Sequence, residues 1–234
     1  MHKSSVITSG EITMSPVVKI CGLTNFEDAC ISTTLGANYI GFIFAHSPRR
    51  VTPEKVRSIL KKLHEKNLRN RVTAVGVFVN EKKTRIEKII SQTGIDIVQL
   101  HGDEPPGEVN KYPFPWYKTL RIASKEDLDQ IITPRNSFWN CPQLLIDTKV
   151  EGIYGGTGKM IDQEIAYSAR NAVHKKKKKF FIAGGITPEN VLNVLNKLNP
   201  DGIDIGSGVE YQKGKKSFEK FYKLFSEIAK YRQI

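Results

Sequence analysis

Eight short apolar runs rich in β-branched and aromatic residues alternate along this chain with stretches of helical period. The runs are Val17 to Cys21, Tyr39 to Phe44, Val72 to Val79, Ile95 to His101, Trp116 to Ile122, Leu144 to Thr148, Phe180 to Ala183 and Gly202 to Ile205. Helix starts stand between them: Asn25 before Phe26-Glu27-Asp28, Thr52-Pro53-Glu54, Ser124 before Lys125-Glu126-Asp127, Thr187-Pro188-Glu189, and Ser217 before the last helix. Pro105, Pro106 and Gly107 leave room for only a short fourth helix. Strand-then-helix units repeated in this way predict parallel strands with crossover helices, and eight of them close into an α/β fold of the (β/α)8 TIM-barrel type. A length of 234 residues accommodates this barrel as one domain over residues 17–234, preceded by a polar extension, 1–16, expected to be flexible or a peripheral strap.

In such a barrel the carboxyl ends of the strands share one working face. The residues predicted there are Cys21-Gly22, His46 to Arg50, Asn80, His101-Gly102, Arg121, Asp147-Thr148, Gly184-Gly185 and Gly206-Ser207-Gly208. A thiol at a strand end, before a turn and a helix start, is placed where a thiolate is favoured; its alternative is a small core residue. Asp147 ends a fully apolar strand, as an acid or as a turn cap. Arg49-Arg50 offers a planar cation for a carboxylate or is a solvated pair. His101 is a catalytic aid, a hydrogen-bonded rim residue or a packing residue. Glycines after strands seven and eight let backbone N–H groups approach a phosphate. The glycine-rich segment Lys149 to Lys159 is expected to be a mobile loop over the substrate.

Other classes are excluded by what is missing. Gly155-Gly156-Thr157-Gly158-Lys159 fails the triphosphate-loop pattern, because Ile153 and Met160 stand where Gly and Ser or Thr are needed. No GxGxxG follows the first strand. Three cysteines, at 21, 30 and 141, have neither disulfide-framework nor zinc spacing, so no metal is expected and a reducing cytoplasm is the expected location. The first 15 residues lack the apolar core of a signal peptide, and no run reaches the about 18 apolar residues of a membrane span. A net charge of +12 raises nucleic acid as a partner, yet the Lys175 to Lys179 and Lys213 to Lys216 blocks read as solvated faces without a stacking platform, and no specific nucleic acid is expected.

Taken together, Lys19-Ile20-Cys21-Gly22-Leu23-Thr24, Gly41-Phe42-Ile43-Phe44, Ser47-Pro48-Arg49-Arg50-Val51, Gly76-Val77-Phe78-Val79-Asn80, Val98-Gln99-Leu100-His101-Gly102, Leu145-Ile146-Asp147-Thr148, Gly155 to Lys159, Ala183-Gly184-Gly185-Ile186 and Asp204 to Glu210 give the chain a family likeness. From about Val17 onward it resembles the phosphoribosylanthranilate isomerases of tryptophan biosynthesis. The resemblance implies a cofactor-free, metal-free Amadori rearrangement of N-(5-phosphoribosyl)anthranilate, with Cys21 as general base and Asp147 as general acid. It puts the Arg for the anthranilate carboxylate on Arg50, with Arg49 the neighbouring alternative. Assigned to substrate binding are Arg50, His101, Gly184, Gly185, Gly206, Ser207 and Gly208. The expected partner is a small phosphorylated substrate bearing a carboxylate, with no membrane, and the expected assembly is a monomer or homodimer. Two rivals remain: a basic barrel binding polyanions, and a related phosphate-binding barrel enzyme. A histidine-pathway sugar isomerase would need paired Asp residues where Cys21 and the Lys118 to Arg121 segment stand.

Overall fold

The computed structural model describes residues 15–133, 138, 140–148 and 160–231. Its parallel strands β1 (Val17–Cys21), β2 (Tyr39–Ile43), β3 (Thr73–Phe78), β4 (Ile97–Leu100), β5 (Trp116–Ile122), β6 (Gln143–Thr148), β7 (Lys179–Ala183) and β8 (Gly202–Ile205) close in sequence order. The β1–β8 pairing, Val17 to Ile20 against Gly202 to Ile205, shuts the barrel. Around it run α1 (Phe26–Thr34), α2 (Pro53–Glu65), α3 (Lys83–Thr93), α4 (Pro106–Val109), α5 (Asp129–Ile132), α6 (Gln163–Lys175), α7 (Val191–Leu198) and α8 (Phe218–Tyr231).

Alternation along each strand sorts two cores. Val18, Ile20, Ile40, Phe42, Leu144 and Ile146 are buried in the apolar layer around the barrel. Residues two apart on the other register, Lys19 with Cys21, Gln99 with His101, and Tyr117 with Thr119, bring polar groups into contact across the barrel interior.

Caps agree with the sequence at α1, where the Asn25 side chain accepts from Asp28 N at 2.7 Å, and at α2, where Thr52 accepts from Lys55 N. They differ at α7. Thr187-Pro188-Glu189 is a turn rather than the first helical turn, because the Asn190 side chain bonds back to Thr187 N and Gly185 O, and the helix begins at Val191. Likewise the segment after Ser124 opens as a 3-10 turn, Glu126–Leu128, before α5. The strand ends shift by one or two residues, so that His101 lies just past β4. A small antiparallel hairpin, β9 (Glu210–Gln212) with β10 (Lys215–Lys216), fills the loop before α8 and had no sequence signature. Residues 1–14 of the expected extension and the Lys149 to Lys159 segment lie outside the described residues.

Candidate active site

A cavity of about 630 Å³ opens at the carboxyl ends of the strands. Every residue assigned from the sequence lines it: Cys21, Arg50, His101, Asp147, Gly184, Gly185, Gly206, Ser207 and Gly208. Cys21 comes from β1 and Asp147 from β6, with β7 and β8 between them on the shorter way round.

On the Cys21 side the supporting groups are charged. Lys19, fully buried two residues before the thiol, donates to Asp204 Oδ2 of β8 at 2.6 Å. Gly41 on β2 leaves the room for this pairing, since a Cβ there would meet Cys21 Sγ at 2.8 Å and Lys19 Cε at 3.1 Å. Desolvation pushes the Cys21 thiol above its ordinary value, and the nearby Lys19 ammonium pulls partly the other way. Burial opposes charge on Lys19 itself, but Asp204, Cys21 and Tyr117 outweigh it and hold the ammonium above the ordinary lysine range. The Asp204 Oδ1 atom is buried at the cavity wall without a hydrogen-bond partner among the described residues.

The loops beside Cys21 are pinned by a second set of charges. Arg49 makes two bonds to Glu210, from Nε to Oε1 and from a terminal nitrogen to Oε2, each 2.7 Å. Lys216 on β10 is buried and donates to Cys21 O at 2.7 Å, Gly206 O at 2.8 Å and Glu210 Oε1 at 3.2 Å. Those commitments remove Lys216 from any polyanion-binding face. Arg50 is exposed at the cavity, and no hydrogen bond or ion pair engages its side chain among the described residues.

Hydrogen-bonding side chains support the Asp147 side. Asp147 Oδ1 accepts from Thr148 N at 2.8 Å, and Oδ2 lies 3.2 Å from His101 Nε2. The other ring nitrogen of His101, Nδ1, is 3.2 Å from Gln99 Nε2. Gln99 Nε2 also donates to Thr119 Oγ1 at 3.0 Å, while Gln99 Oε1 accepts from the Tyr117 hydroxyl at 2.8 Å. Nearby ion pairs, Lys118 with Glu104 and Arg121 with Asp103, tie down the loop after β4; Glu104 also accepts from Gly102 N and Asn80 N.

At the third edge, the loops after β7 and β8 meet closely. Gly184 and Gly185 both have positive φ, 93° and 63°, and a Cβ on Gly208 would lie 1.8 Å from Ile186 O, so only glycine fits. This arrangement lines one end of the cavity with backbone rather than side chains, which suits an anion with several oxygens.

The residues facing the cavity were legible in the sequence, whereas their supports, Lys19, Gln99, Tyr117, Asp204, Glu210 and Lys216, were not. A signal existed for the first two, because a polar residue two positions before a rim residue in an apolar strand must face the barrel interior. Glu210 and Lys216 had none, since their roles depend on the hairpin.

Among the described residues, no group of three or more His, Cys, Asp or Glu side chains could hold a metal ion, and no helix is long and apolar enough to cross a membrane. The Lys175 to Lys179 run joins α6 to the start of β7, at the barrel end away from the cavity.

Residues 18–227 match the family model for N-(5'-phosphoribosyl)anthranilate (PRA) isomerase. The chain is 38% identical over 221 residues to the N-(5'-phosphoribosyl)anthranilate isomerase of Gloeothece citriformis, covering 92% of this chain and 94% of that one. Among solved structures it is similar to the phosphoribosyl anthranilate isomerase of Thermotoga maritima, with a TM-score of 0.79, 30% identity, and 92% and 99% of the two chains covered. It is also similar to a phosphoribosyl anthranilate isomerase in complex with reduced 1-(o-carboxyphenylamino)-1-deoxyribulose 5-phosphate. That match has a TM-score of 0.76 and 29% identity, and covers 92% and 99% of the two chains.

Proposed function

Because the chain belongs to the N-(5'-phosphoribosyl)anthranilate isomerase family and is an isomerase, we propose that it converts N-(5-phosphoribosyl)anthranilate to 1-(2-carboxyphenylamino)-1-deoxyribulose 5-phosphate in tryptophan biosynthesis. We further propose that it acts in the cytoplasm without cofactor or metal, using Cys21 and Asp147. The observation that carries the reading is one cavity holding a thiol and a carboxyl on separate strands, with a glycine-lined end and an uncommitted arginine.

The substrate's charges divide the cavity. Its phosphate belongs at the backbone of Gly184, Gly185, Gly206, Ser207 and Gly208. The anthranilate carboxylate belongs at Arg50 rather than Arg49, because Arg49 is already neutralised by Glu210. Asp147 protonates the ribose ring oxygen as the bond from that oxygen to C1 breaks, leaving an iminium between C1 and the anthranilate nitrogen. The iminium acidifies C2–H, and the Cys21 thiolate takes that proton to give an enolamine. Tautomerisation of the enolamine to the ketone completes the isomerisation with no net change in protons or electrons. Lys19 supports the base, because an ammonium against the sulfur favours the thiolate that the step requires.

Loss of phosphoribosylanthranilate fluorescence on mixing with the purified protein tests the activity. A protein that leaves the fluorescence unchanged, while binding DNA or RNA with a steep salt dependence, would instead be the polyanion-binding barrel.

A further inference from the structure

We propose that Gln99 is a positioning residue that fixes His101 in the neutral form protonated on Nε2, so that an N–H group faces Asp147. This rests on the reading of Asp147 as the acid and adds to it the device that holds the acid's partner.

The direction of each bond follows from its ends. The Gln99 carboxamide is buried between three groups, with its oxygen on the Tyr117 hydroxyl and its nitrogen facing both Thr119 Oγ1 and His101 Nδ1. An amide N–H donates, so Nδ1 must accept and cannot carry the ring proton. That proton then resides on Nε2, which is buried, has no aligned hydrogen bond, and lies 3.2 Å from Asp147 Oδ2. The Gln99 end of this chain of contacts therefore selects the ring form.

That form has a task in the reaction. When Asp147 passes its proton to the ring oxygen, a carboxylate appears in a buried site, where among the described residues Thr148 N already donates to it. The His101 Nε2–H group is placed to swing into line with Oδ2 as the negative charge develops, an interaction stronger in the transition state than in the resting enzyme. No proton leaves His101; its neutral ring donates throughout. Thr119 Oγ1 and the Tyr117 hydroxyl hold the two ends of the amide.

The test reads the ring nitrogens directly. In protein labelled with 15N at its five histidines, the signals lost in His101→Asn identify His101. In the free wild-type enzyme we expect Nε2 to be protonated and Nδ1 to be unprotonated. Gln99→Glu keeps the shape but places an acceptor on Nδ1, so Nδ1 becomes protonated, and kcat falls by about ten- to hundredfold while KM changes by no more than about threefold. Gln99→Leu should give the same loss in kcat, with both tautomers present; if it does not fold, the Glu variant carries the test. Protonation at Nδ1 in the wild type, or a Gln99→Glu enzyme with unchanged ring protonation and kcat, would overturn the proposal. The tautomer is read without turnover, so an active Asp147→Asn enzyme would remove the acid assignment while leaving the ring measurement standing.

Discussion

Cys21 and Asp147 face one cavity, yet the barrel supports them by different means. Around Cys21 the buried partners carry full charge: Lys19 with Asp204, and Arg49 and Lys216 with Glu210. Around Asp147 they are hydrogen-bonding groups, the Thr148 N–H and, in the ring form proposed above, His101 held by Gln99, with ion pairs kept to the loop after β4. The difference follows from what each group must be before it reacts. A base has to be a thiolate, which a nearby cation favours. An acid has to hold a proton, which a nearby cation would drive off. Two proton-transfer groups can share one pocket when opposite electrostatics are built into opposite walls.

The largest effect should come from removing either group itself. Cys21→Ser and Asp147→Asn should each lower kcat/KM by about 10² to 10⁴-fold with unchanged circular dichroism, and near-normal turnover in either variant would break the comparison on that side. Next comes Lys19→Met, which strands the Asp204 carboxylate in the interior. Breaking a buried pair in this way costs about 3–5 kcal/mol, read as a lower urea midpoint.

The same variant should alter pH dependence with a definite sign. Burial holds the wild-type thiol high, so the thiolate grows in, and activity and iodoacetamide alkylation rise, as pH climbs above neutral. Loss of Lys19 removes the pull downward, so both curves should move to higher pH; a shift to lower pH would contradict the role given to the ammonium.

Smaller and more selective is the arginine pair. Arg50→Ala should raise KM by about ten- to hundredfold with kcat largely kept. Arg49→Met should instead cost about 2 kcal/mol of stability by freeing Glu210, leaving the carboxylate contact intact. If Arg49→Met has the larger effect on KM, the assignment must be exchanged. Least of all, Lys175→Gln with Lys177→Gln should leave kcat/KM within about twofold, because both side chains are exposed at the far end of the barrel.

Much of this was legible in the chain because barrel strands carry two messages at once. Period told where each strand lay, and the last residues, Cys21, His101 and Asp147, told what faced the cavity. The boundaries that slipped did so where side chains decide them. Asn190 captures Thr187 N and Gly185 O and so delays α7, a tertiary choice that Pro188 cannot announce. Lys19 and Gln99 are interior polar residues whose partners sit on neighbouring strands: Tyr117 across the β4–β5 pair, and Asp204 185 residues away on β8. The Lys19–Asp204 pairing exists only once β8 closes onto β1. Lys213 to Lys216 read as one solvated block, yet Lys216 turns inward because the bulged β9–β10 hairpin directs it to the carbonyls of Cys21 and Gly206.

Lys216 also sets a clock on synthesis. Cys21 is made well before its partner: its carbonyl is held by an ammonium made 195 residues later, and β1 has no second neighbour until β8 arrives. A nascent chain can assemble most of its strands and still lack a competent base. Full support of the strand end that carries Cys21 therefore waits until Lys216 is made. A fragment ending before Lys216 should retain strands and helices, but not the reactive thiol.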